Sequence, residues 1–138
     1  MHRGGAGTDR IKEGARFKSV LFLDLPGDMA GAAPFFAEVA EGPADVQSRW
    51  LTCADGIRIR VAHWTVDGAR GTVLLFPGRT EYVEKYGPAA AELNARGYAV
   101  LAIDWRGQGL ADRLARDRTL GHVRRFADYQ QDVAAALD

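Results

Sequence analysis

Hydrophobic and polar positions first alternate along this chain and later form short continuous runs, a change that predicts a hairpin followed by α/β structure. Trp50 to Cys53 and Ile57 to Trp64 are rich in β-branched and aromatic residues. Between them lies Asp55-Gly56, the dipeptide that best supplies the positive φ of a tight turn. The second run places its isoleucines and valine on one face and Arg58 and Arg60 on the other. We therefore predict a β-hairpin.

A buried strand, a helix and a second buried strand are expected next. Thr72 to Phe76 and Tyr98 to Ile103 are continuous apolar runs, typical of strands that are covered on both faces. Between them, Pro88 fits a first helical turn and Gly97 stands where a left-handed C-cap belongs. This order predicts a βαβ unit with parallel strands and a right-handed crossover, so the fold class is α/β.

The first 28 residues show no sustained period of either 2 or 3.6, and we predict that residues 1–28 form a flexible leader. Met29 opens a more regular stretch. We therefore hypothesise that translation starts at Met29, that the leader is not native, and that the domain covers residues 29–138.

The last third of the chain predicts a long loop and one helix. The loop is rich in arginine and aspartate and runs from Asp104 to Arg125. The helix carries one apolar stripe, formed by Phe126, Tyr129, Val133 and Leu137. A helix after a strand normally returns the chain to the sheet, yet the sequence stops at Asp138. We therefore expect an incomplete sheet.

Composition limits the function classes. With 138 residues, 47% of them hydrophobic and 26% charged, the chain has enough apolar material for one core and too little length for two. The net charge is zero, which argues against nucleic acid as a partner. The single cysteine, Cys53, excludes an internal disulfide framework. No stretch reaches the length of a membrane span and no export signal is present, so we predict a cytoplasmic protein.

The three histidines do not indicate a metal site. His2, His63 and His122 lack metal-ligand spacing to one another and to a carboxylate, and we expect no metal. A mildly basic stretch is formed by Arg113, Arg116, Arg118, Arg124 and Arg125. It is interpreted as a solvated loop, with peripheral contact to an anionic membrane as the alternative.

The turn after the first buried strand is the first candidate site. Ligand-binding groups gather at the carboxyl ends of strands in open α/β sheets. Gly78 lets the backbone turn, so the amide of Arg79 can point into a cleft and stabilise an oxyanion. A plain strand-to-helix turn is the alternative, and the spacing does not separate the two.

The loop after the second buried strand should lie beside that turn. It begins at Asp104 and contains Arg106, Gly107 and Gly109, for which we predict a scaffolding role next to the site. We expect Arg106 to pair with a carboxylate such as that of Glu81 and so tie the two loops together.

A dinucleotide site is a weaker alternative for the same loops. Asp104 follows Gly78 at an offset near that of the acidic residue in the dinucleotide fingerprint. The first turn, however, reads Gly-Arg-Thr-Glu-Tyr-Val and not G-x-G-x-x-G, so the glycines that approach a pyrophosphate are absent.

Several motifs together resemble a known family. They are Pro77-Gly78-Arg79-Thr80-Glu81, Tyr86, Asp104-x-Arg106-Gly107-Gln108-Gly109, Arg113-Leu114 and Gly121-His122-Val123-x-Arg125-Phe126-x-Asp128-Tyr129. In this order, over roughly residues 48–138, the chain resembles the N-terminal half of a bacterial lysophospholipase of the α/β-hydrolase fold, in the branch that includes monoacylglycerol lipases. The resemblance implies a serine hydrolase that cleaves carboxylic esters of lysophospholipids or monoacylglycerols without metal or organic cofactor. It also implies that Arg79 supplies one oxyanion amide.

The catalytic triad of such a hydrolase is not found in this sequence. The nucleophile of the fold stands in G-x-S-x-G, ahead of an acid and a histidine. The two serines, Ser19 and Ser48, have no flanking glycine, and Cys53 precedes a hairpin turn. We expect all three triad members beyond Asp138 and predict that this fragment alone is inactive.

Two alternatives stay open at this point. The chain could be a non-catalytic remnant or binding module that uses an exposed sheet edge. It could also belong to an α/β-hydrolase with other ester, peptide or epoxide chemistry, because the fold hosts many reactions. In the family's strand order, Thr72 to Phe76 lies next to the strand that bears the nucleophile, so we expect one side of this strand to lack a partner here.

Overall fold

The computed structural model describes residues 31–138. The predicted leader, residues 1–28, and the proposed start at Met29 lie outside the described residues. No helix in the described part of the chain is both long enough and apolar enough to cross a membrane.

The predicted hairpin is confirmed. β1 (Val46–Thr52) pairs antiparallel with β2 (Arg58–Trp64), and Thr52 faces Arg58 across the turn. The Cys53 amide donates to the Ile57 carbonyl at 2.8 Å, and Gly56 has a φ of 82°. β1 begins at Val46, four residues before the apolar run that predicted it, because its pairing with β2 continues through the polar residues Gln47, Ser48 and Arg49.

The βαβ unit is also present, with its two strands parallel. It consists of β3 (Thr72–Leu75), α2 (Gly87–Ala95) and β4 (Ala99–Asp104), and Leu74 of β3 faces Leu101 of β4. A 3-10 turn, Val83–Tyr86, leads into α2.

Gly97 ends α2 in the predicted left-handed conformation, with a φ of 83°. Its amide donates to the carbonyl of Asn94 at 2.8 Å, and the amide of Tyr98 donates to the carbonyl of Leu93 at 3.0 Å. These two bonds form a Schellman motif, which satisfies carbonyls that the end of a helix leaves unpaired.

The four strands form one mixed sheet in the order β1-β2-β4-β3. All six residues of β4 are buried, as expected for a central strand. β3 lies at the end of the sheet and pairs with β4 alone among the described strands. It is only partly buried, so the expectation that both of its faces are covered is wrong, while the expectation of one bare side is confirmed.

The core lies on both faces of the sheet. On one face, Val100 and Ala102 of β4 pack with Trp64 of β2 and Ala90 of α2. On the other face, Leu101 and Ile103 pack with Val61, and Ala136 of α3 (Tyr129–Leu137) lies against them. A short helix, α1 (Ala37–Ala40), precedes the sheet.

The predicted apolar stripe of the last helix is exposed at both of its ends. A 3-10 turn, Phe126–Asp128, precedes α3, and Phe126 and Leu137 are 82% and 43% exposed. Asp132 is instead fully buried, because its carboxylate accepts hydrogen bonds from Arg106. The inward face of α3 is formed by Asp132 together with Ala135 and Ala136, one turn further along the helix.

Aromatic rings form a continuous row that runs from the residue after β3, past the residue after β4, to α3 and the turn before it. Their centroids are spaced 5.3, 5.0 and 5.7 Å apart. We call this set, in spatial order Phe76, Trp105, Tyr129 and Phe126, the aromatic row. Phe76 is 46% exposed, so both ends of the row reach the surface.

Candidate active site

The turn after β3 is closed by hydrogen bonds to Glu81. The Gly78 amide donates to Glu81 Oε2 at 2.9 Å, and the Glu81 amide donates to the Gly78 carbonyl at 3.4 Å. Glu81 also accepts from the Lys85 ammonium and the Tyr86 hydroxyl. The Lys85 bond above all, and then the Tyr86 bond, lower the pKa of Glu81 to about 2. Glu81 is therefore a carboxylate that fixes the backbone of this turn.

The turn presents the Arg79 amide without an internal acceptor. The amides of Gly78, Thr80 and Glu81 all donate within the protein, whereas residues 31–138 offer no hydrogen-bond acceptor to the amide of Arg79. Thr80 has a φ of 67°, an uncommon conformation for a residue with a side chain. A free, fixed N–H is what an oxyanion hole requires. The oxyanion role of Arg79 stays a prediction that this geometry permits.

The loops after β3 and β4 lie side by side, as the sequence predicted. Trp105 Nε1 donates to the Pro77 carbonyl at 2.7 Å, and the Thr80 amide donates to Gln108 Oε1. Gln108 is 5% exposed. No role was predicted for Gln108, although its place between two glycines that allow a tight path was a usable signal.

Asp104 anchors this end of the sheet from the last position of β4. Its carboxylate accepts from the amides of Val83 and Leu110, each at 2.9 Å, and from Arg60 Nε at 2.7 Å. Burial raises the pKa of Asp104 and the Arg60 charge opposes that shift. Gly109 has a φ of 51°, and a Cβ there would lie 2.2 Å from Asp104 Cγ. These contacts fix Asp104 and Gly109 at the end of β4, and their scaffolding role next to the site stays a prediction.

Arg60 is a buried structural cation that the sequence analysis missed. It is 1% exposed, and its two terminal nitrogens bond Glu84 at 2.7 and 2.8 Å. Glu84 is equally buried. Alternation in β2 placed Arg60 on a face separate from the apolar residues, but β2 has a strand on each side and both of its faces are covered. A charged residue on such a strand must be paired, and that was the available signal.

Arg106 does not pair with Glu81, and that expectation is wrong. Arg106 Nη1 bonds Asp55 at 2.6 Å, and Arg106 Nε bonds Asp132 at 2.7 Å. The Arg106 amide donates to the same Asp132 carboxylate at 3.0 Å. Arg106 therefore joins the hairpin turn to α3, while Glu81 is already engaged by residues of its own turn. The scaffolding role of Arg106 next to the site stays a prediction.

Two further residues sit at the edges of this network. Gly107 has a φ of 80°, and a Cβ there would lie 2.7 Å from the carbonyl oxygen of His122. Cys53 is 3% exposed and its Sγ donates to Asp132 Oδ1 at 3.4 Å. Burial, followed by the negative charge of Asp132, raises the pKa of the Cys53 thiol to about 11. Cys53 is thus a protonated thiol and a poor nucleophile.

The described residues contain no serine on a strand-to-helix elbow. Ser48 lies within β1, and its hydroxyl contacts the carbonyl of Val61 at 3.1 Å. Residues 31–138 also hold no group of three or more His, Cys, Asp or Glu side chains placed to bind a metal ion. The site therefore consists of a turn with one available amide and the scaffold that fixes it.

Comparison with known proteins identifies relatives that are named lysophospholipase L2. The lysophospholipase L2 of Escherichia coli K12 is 43% identical over 85 residues, which are 62% of this chain and 25% of that protein. A probable lysophospholipase L2 of Haemophilus influenzae is 27% identical over 112 residues, which are 80% of this chain and 33% of that protein. The chain thus spans a quarter to a third of the length of these relatives.

A solved structure gives the same answer for the fold. The crystal structure of an α/β-hydrolase from Novosphingobium aromaticivorans superposes with a TM-score of 0.55 at 30% identity, covering 70% of this chain and 32% of that one. The family model described as serine aminopeptidase, S33, matches residues 67–138, just over half of the chain. With β3, α2, β4 and α3 inside that match, the chain belongs to the serine aminopeptidase S33 family and has part of an α/β-hydrolase fold.

Proposed function

We propose that this chain forms the N-terminal part of a serine hydrolase that cleaves carboxylic esters of lysophospholipids or monoacylglycerols. The observation that carries the proposal is the Arg79 amide, which no described residue engages in a turn that Glu81 holds rigid. The 43% identity to a protein named lysophospholipase L2 supports the substrate class.

The chemistry follows the acyl-enzyme route. A serine Oγ attacks the ester carbonyl carbon while a histidine takes its proton, and the carbonyl oxygen becomes an oxyanion. The Arg79 amide donates a hydrogen bond to that oxyanion. The histidine then protonates the departing glycerol oxygen, and water cleaves the acyl-enzyme to release a fatty acid. Removing one oxyanion donor typically lowers kcat by about 100-fold to 1000-fold.

The nucleophile, acid and base would come from polypeptide outside the 138 residues. The two serines, Ser19 and Ser48, are not in G-x-S-x-G. The chain alone should therefore not turn over p-nitrophenyl esters. A cytoplasmic location and a peripheral contact with a membrane also stay predictions.

Sequencing the gene past codon 138 is the first test. An open frame that encodes Gly-x-Ser-x-Gly is expected, and its product should hydrolyse a lysophospholipid or a monoacylglycerol and lose this activity when that serine is replaced by alanine. A stop codon after Asp138, or turnover by residues 1–138 alone, would contradict the proposal.

A binding module is the second candidate, because β3 has a free edge and Phe76 beside it is 46% exposed. An unpaired strand edge can accept a strand from another chain. A stop codon after Asp138 together with a stable, stoichiometric complex would favour this candidate. A panel of lipid ester, peptide and epoxide substrates on the longer product would separate ester hydrolysis from the other reactions that the fold hosts.

A further inference from the structure

A cavity of about 300 Å³ lies between the turn after β3 and the loop after β4. It adjoins the candidate active site, because Thr80, the residue after Arg79, lines it. The Arg79 side chain reaches its rim, where Nη2 donates to the carbonyl of Gly121 at 3.2 Å. The volume is at the lower end of what small-molecule sites use. It suits a compact polar group better than an acyl chain.

The charged side chains in the lining are both arginines. They are Arg113 and Arg118, and no carboxylate is among the lining residues. Within the described part of the chain, Arg118 makes no ion pair. The remaining polar side chains of the lining are Thr80, Tyr82, Gln108 and Thr119. The cavity therefore concentrates positive charge beside hydrogen-bonding groups.

Hydrogen bonds hold the Arg113 side chain in place but leave one of its N–H donors without an acceptor. Its terminal nitrogens donate to the carbonyls of Gly107 and Gly109. Its Nε is buried, and no residue in 31–138 accepts a hydrogen bond from it. A buried donor without an acceptor is costly, so a small shift of the Arg113 side chain that lets a ligand oxygen reach Nε would be favoured.

The two guanidinium groups also repel each other. Burial, followed by the positive charge of Arg118, lowers the pKa of Arg113. Asp104 opposes this shift, but its carboxylate is already bonded to Arg60 and two backbone amides. The Asp117 carboxylate is occupied by the amide and hydroxyl of Thr119. An anion in the cavity would relieve the repulsion.

We propose that this cavity binds the phosphate group of a lysophospholipid head group, with Arg113 and Arg118 as the residues that recognise it. Arginine forms strong, charge-assisted hydrogen bonds to phosphate oxygens. A monoacylglycerol has no phosphate, so the cavity selects lysophospholipids from the two ester classes. This inference rests on the proposed function, because it assumes that the ester is bound at the adjacent turn.

The test is isothermal titration calorimetry of residues 1–138 on a tryptophan-free solubility tag, with tryptophan fluorescence as the check that each variant is folded. The probes are sn-glycero-3-phosphoethanolamine, inorganic phosphate and glycerol. We expect saturable binding of the glycerophosphodiester, weaker binding of inorganic phosphate and none of glycerol. Arg118→Gln should weaken binding of the phosphodiester by about tenfold or more, since it removes a charged hydrogen-bond donor.

Arg116→Gln is the matched control. Arg116 is an exposed arginine two residues away in the same loop and does not line the cavity, so its variant should bind as the unchanged chain does. Equal weakening by both variants would show non-specific charge attraction and overturn the proposal. Tighter binding of inorganic phosphate than of the glycerophosphodiester would show that the cavity does not recognise a lipid head group. Absence of any binding by folded protein would show that the cavity is not a phosphate site.

These outcomes are independent of turnover. A longer product that hydrolyses monoacylglycerols while its cavity binds no phosphodiester would leave the proposed function standing and refute this inference. Phosphodiester binding that Arg118→Gln removes, in a protein without any hydrolase activity, would support the cavity and refute the proposed function.

Discussion

Arg60 holds two buried carboxylates in position, and much of the carboxyl end of the sheet depends on it. It bonds Glu84 through both terminal nitrogens and Asp104 through Nε. Breaking a buried pair by removing one partner typically costs about 3–5 kcal/mol, because the remaining charge is left uncompensated. Arg60→Met should therefore lower the free energy of unfolding by about that amount, measured by urea unfolding with tryptophan fluorescence.

Arg96→Gln is the control for this measurement. Arg96 forms an exposed pair with Glu92 one turn away on α2, at 3.0 Å. Such pairs contribute about 0.5 kcal/mol or less. Comparable losses in the two variants would show that the Arg60 network does not stabilise the fold.

Cys53 predicts a specific dependence of stability on alkaline pH. Below the ordinary thiol pKa of 9.0 the folded and unfolded thiols are both protonated. Between pH 9 and about 11 the unfolded thiol ionises while the folded one keeps its proton. The unfolded state then binds fewer protons, so the free energy of unfolding falls as pH rises through this window. Cys53→Ala should lack this part of the decline.

The measurement is the difference in unfolding free energy between the parent and Cys53→Ala, followed from pH 8 to 10.5. Other groups that titrate here, such as lysines and tyrosines, contribute equally to both proteins and cancel. A difference that does not change with pH would contradict the raised pKa.

At the scale of elements, the end of α2 depends on a residue without a side chain. Gly97 has a φ of 83°, which costs an L-residue with a Cβ about 1–2 kcal/mol. A Cβ there would also lie 3.3 Å from Arg70 Cδ. Gly97→Ala should lower the free energy of unfolding by about 1–2 kcal/mol in the same urea assay.

Gly71→Ala provides the comparison, since Gly71 lies just before β3 and a Cβ there would be 4.0 Å from its nearest neighbour. Little change is expected from it. A neutral Gly97→Ala would mean that the left-handed cap is not needed.

Elements whose signals are local could be predicted, and contacts that depend on strand order could not. The hairpin turn at Asp55-Gly56 and the cap at Gly97 follow from backbone preferences of a few residues. The partners of Arg60 and Arg106 lie 24 to 51 residues away in sequence. Which carboxylate each reaches is set by which strands are neighbours. The burial of Asp132 on α3 could not be predicted for the same reason, because its partner Arg106 lies 26 residues away in sequence.

Some features of the candidate site could also be predicted from the sequence, and others could not. The turn at Gly78 and Arg79 was found because it follows a buried strand. The pairing of Arg106 with Glu81 failed because short-range bonds from Lys85 and Tyr86 already occupy Glu81. The arginine cavity was missed because it combines residues from two loops.

At the scale of the whole molecule, the free edge of β3 and the aromatic row predict poor solubility for the untagged chain. Phe126 and Phe76 are 82% and 46% exposed, and β3 has one bare side. Such a surface promotes edge-to-edge association. Phe126→Gln combined with Phe76→Gln should raise the soluble fraction after centrifugation of a lysate. Val39→Gln, at a residue 57% exposed on α1, should not.

A solubility that stays the same in the double variant would contradict this assignment, and so would an equal gain from Val39→Gln. Either result would mean that association does not proceed through the aromatic row.

The two hydrogen bonds that Arg106 donates to Asp132 have a consequence for proteolysis. Arg106 binds Asp132 through its amide and its side chain, and Trp105 packs edge-to-face against Tyr129 with 5.0 Å between centroids. The intervening loop exposes Arg116 and Arg118, where trypsin cleaves. A single cut there would separate the chain covalently while leaving these noncovalent ties intact. The nicked protein should therefore co-elute as one species under native conditions, and the segment from the cut to Asp138 could be exchanged for a synthetic peptide.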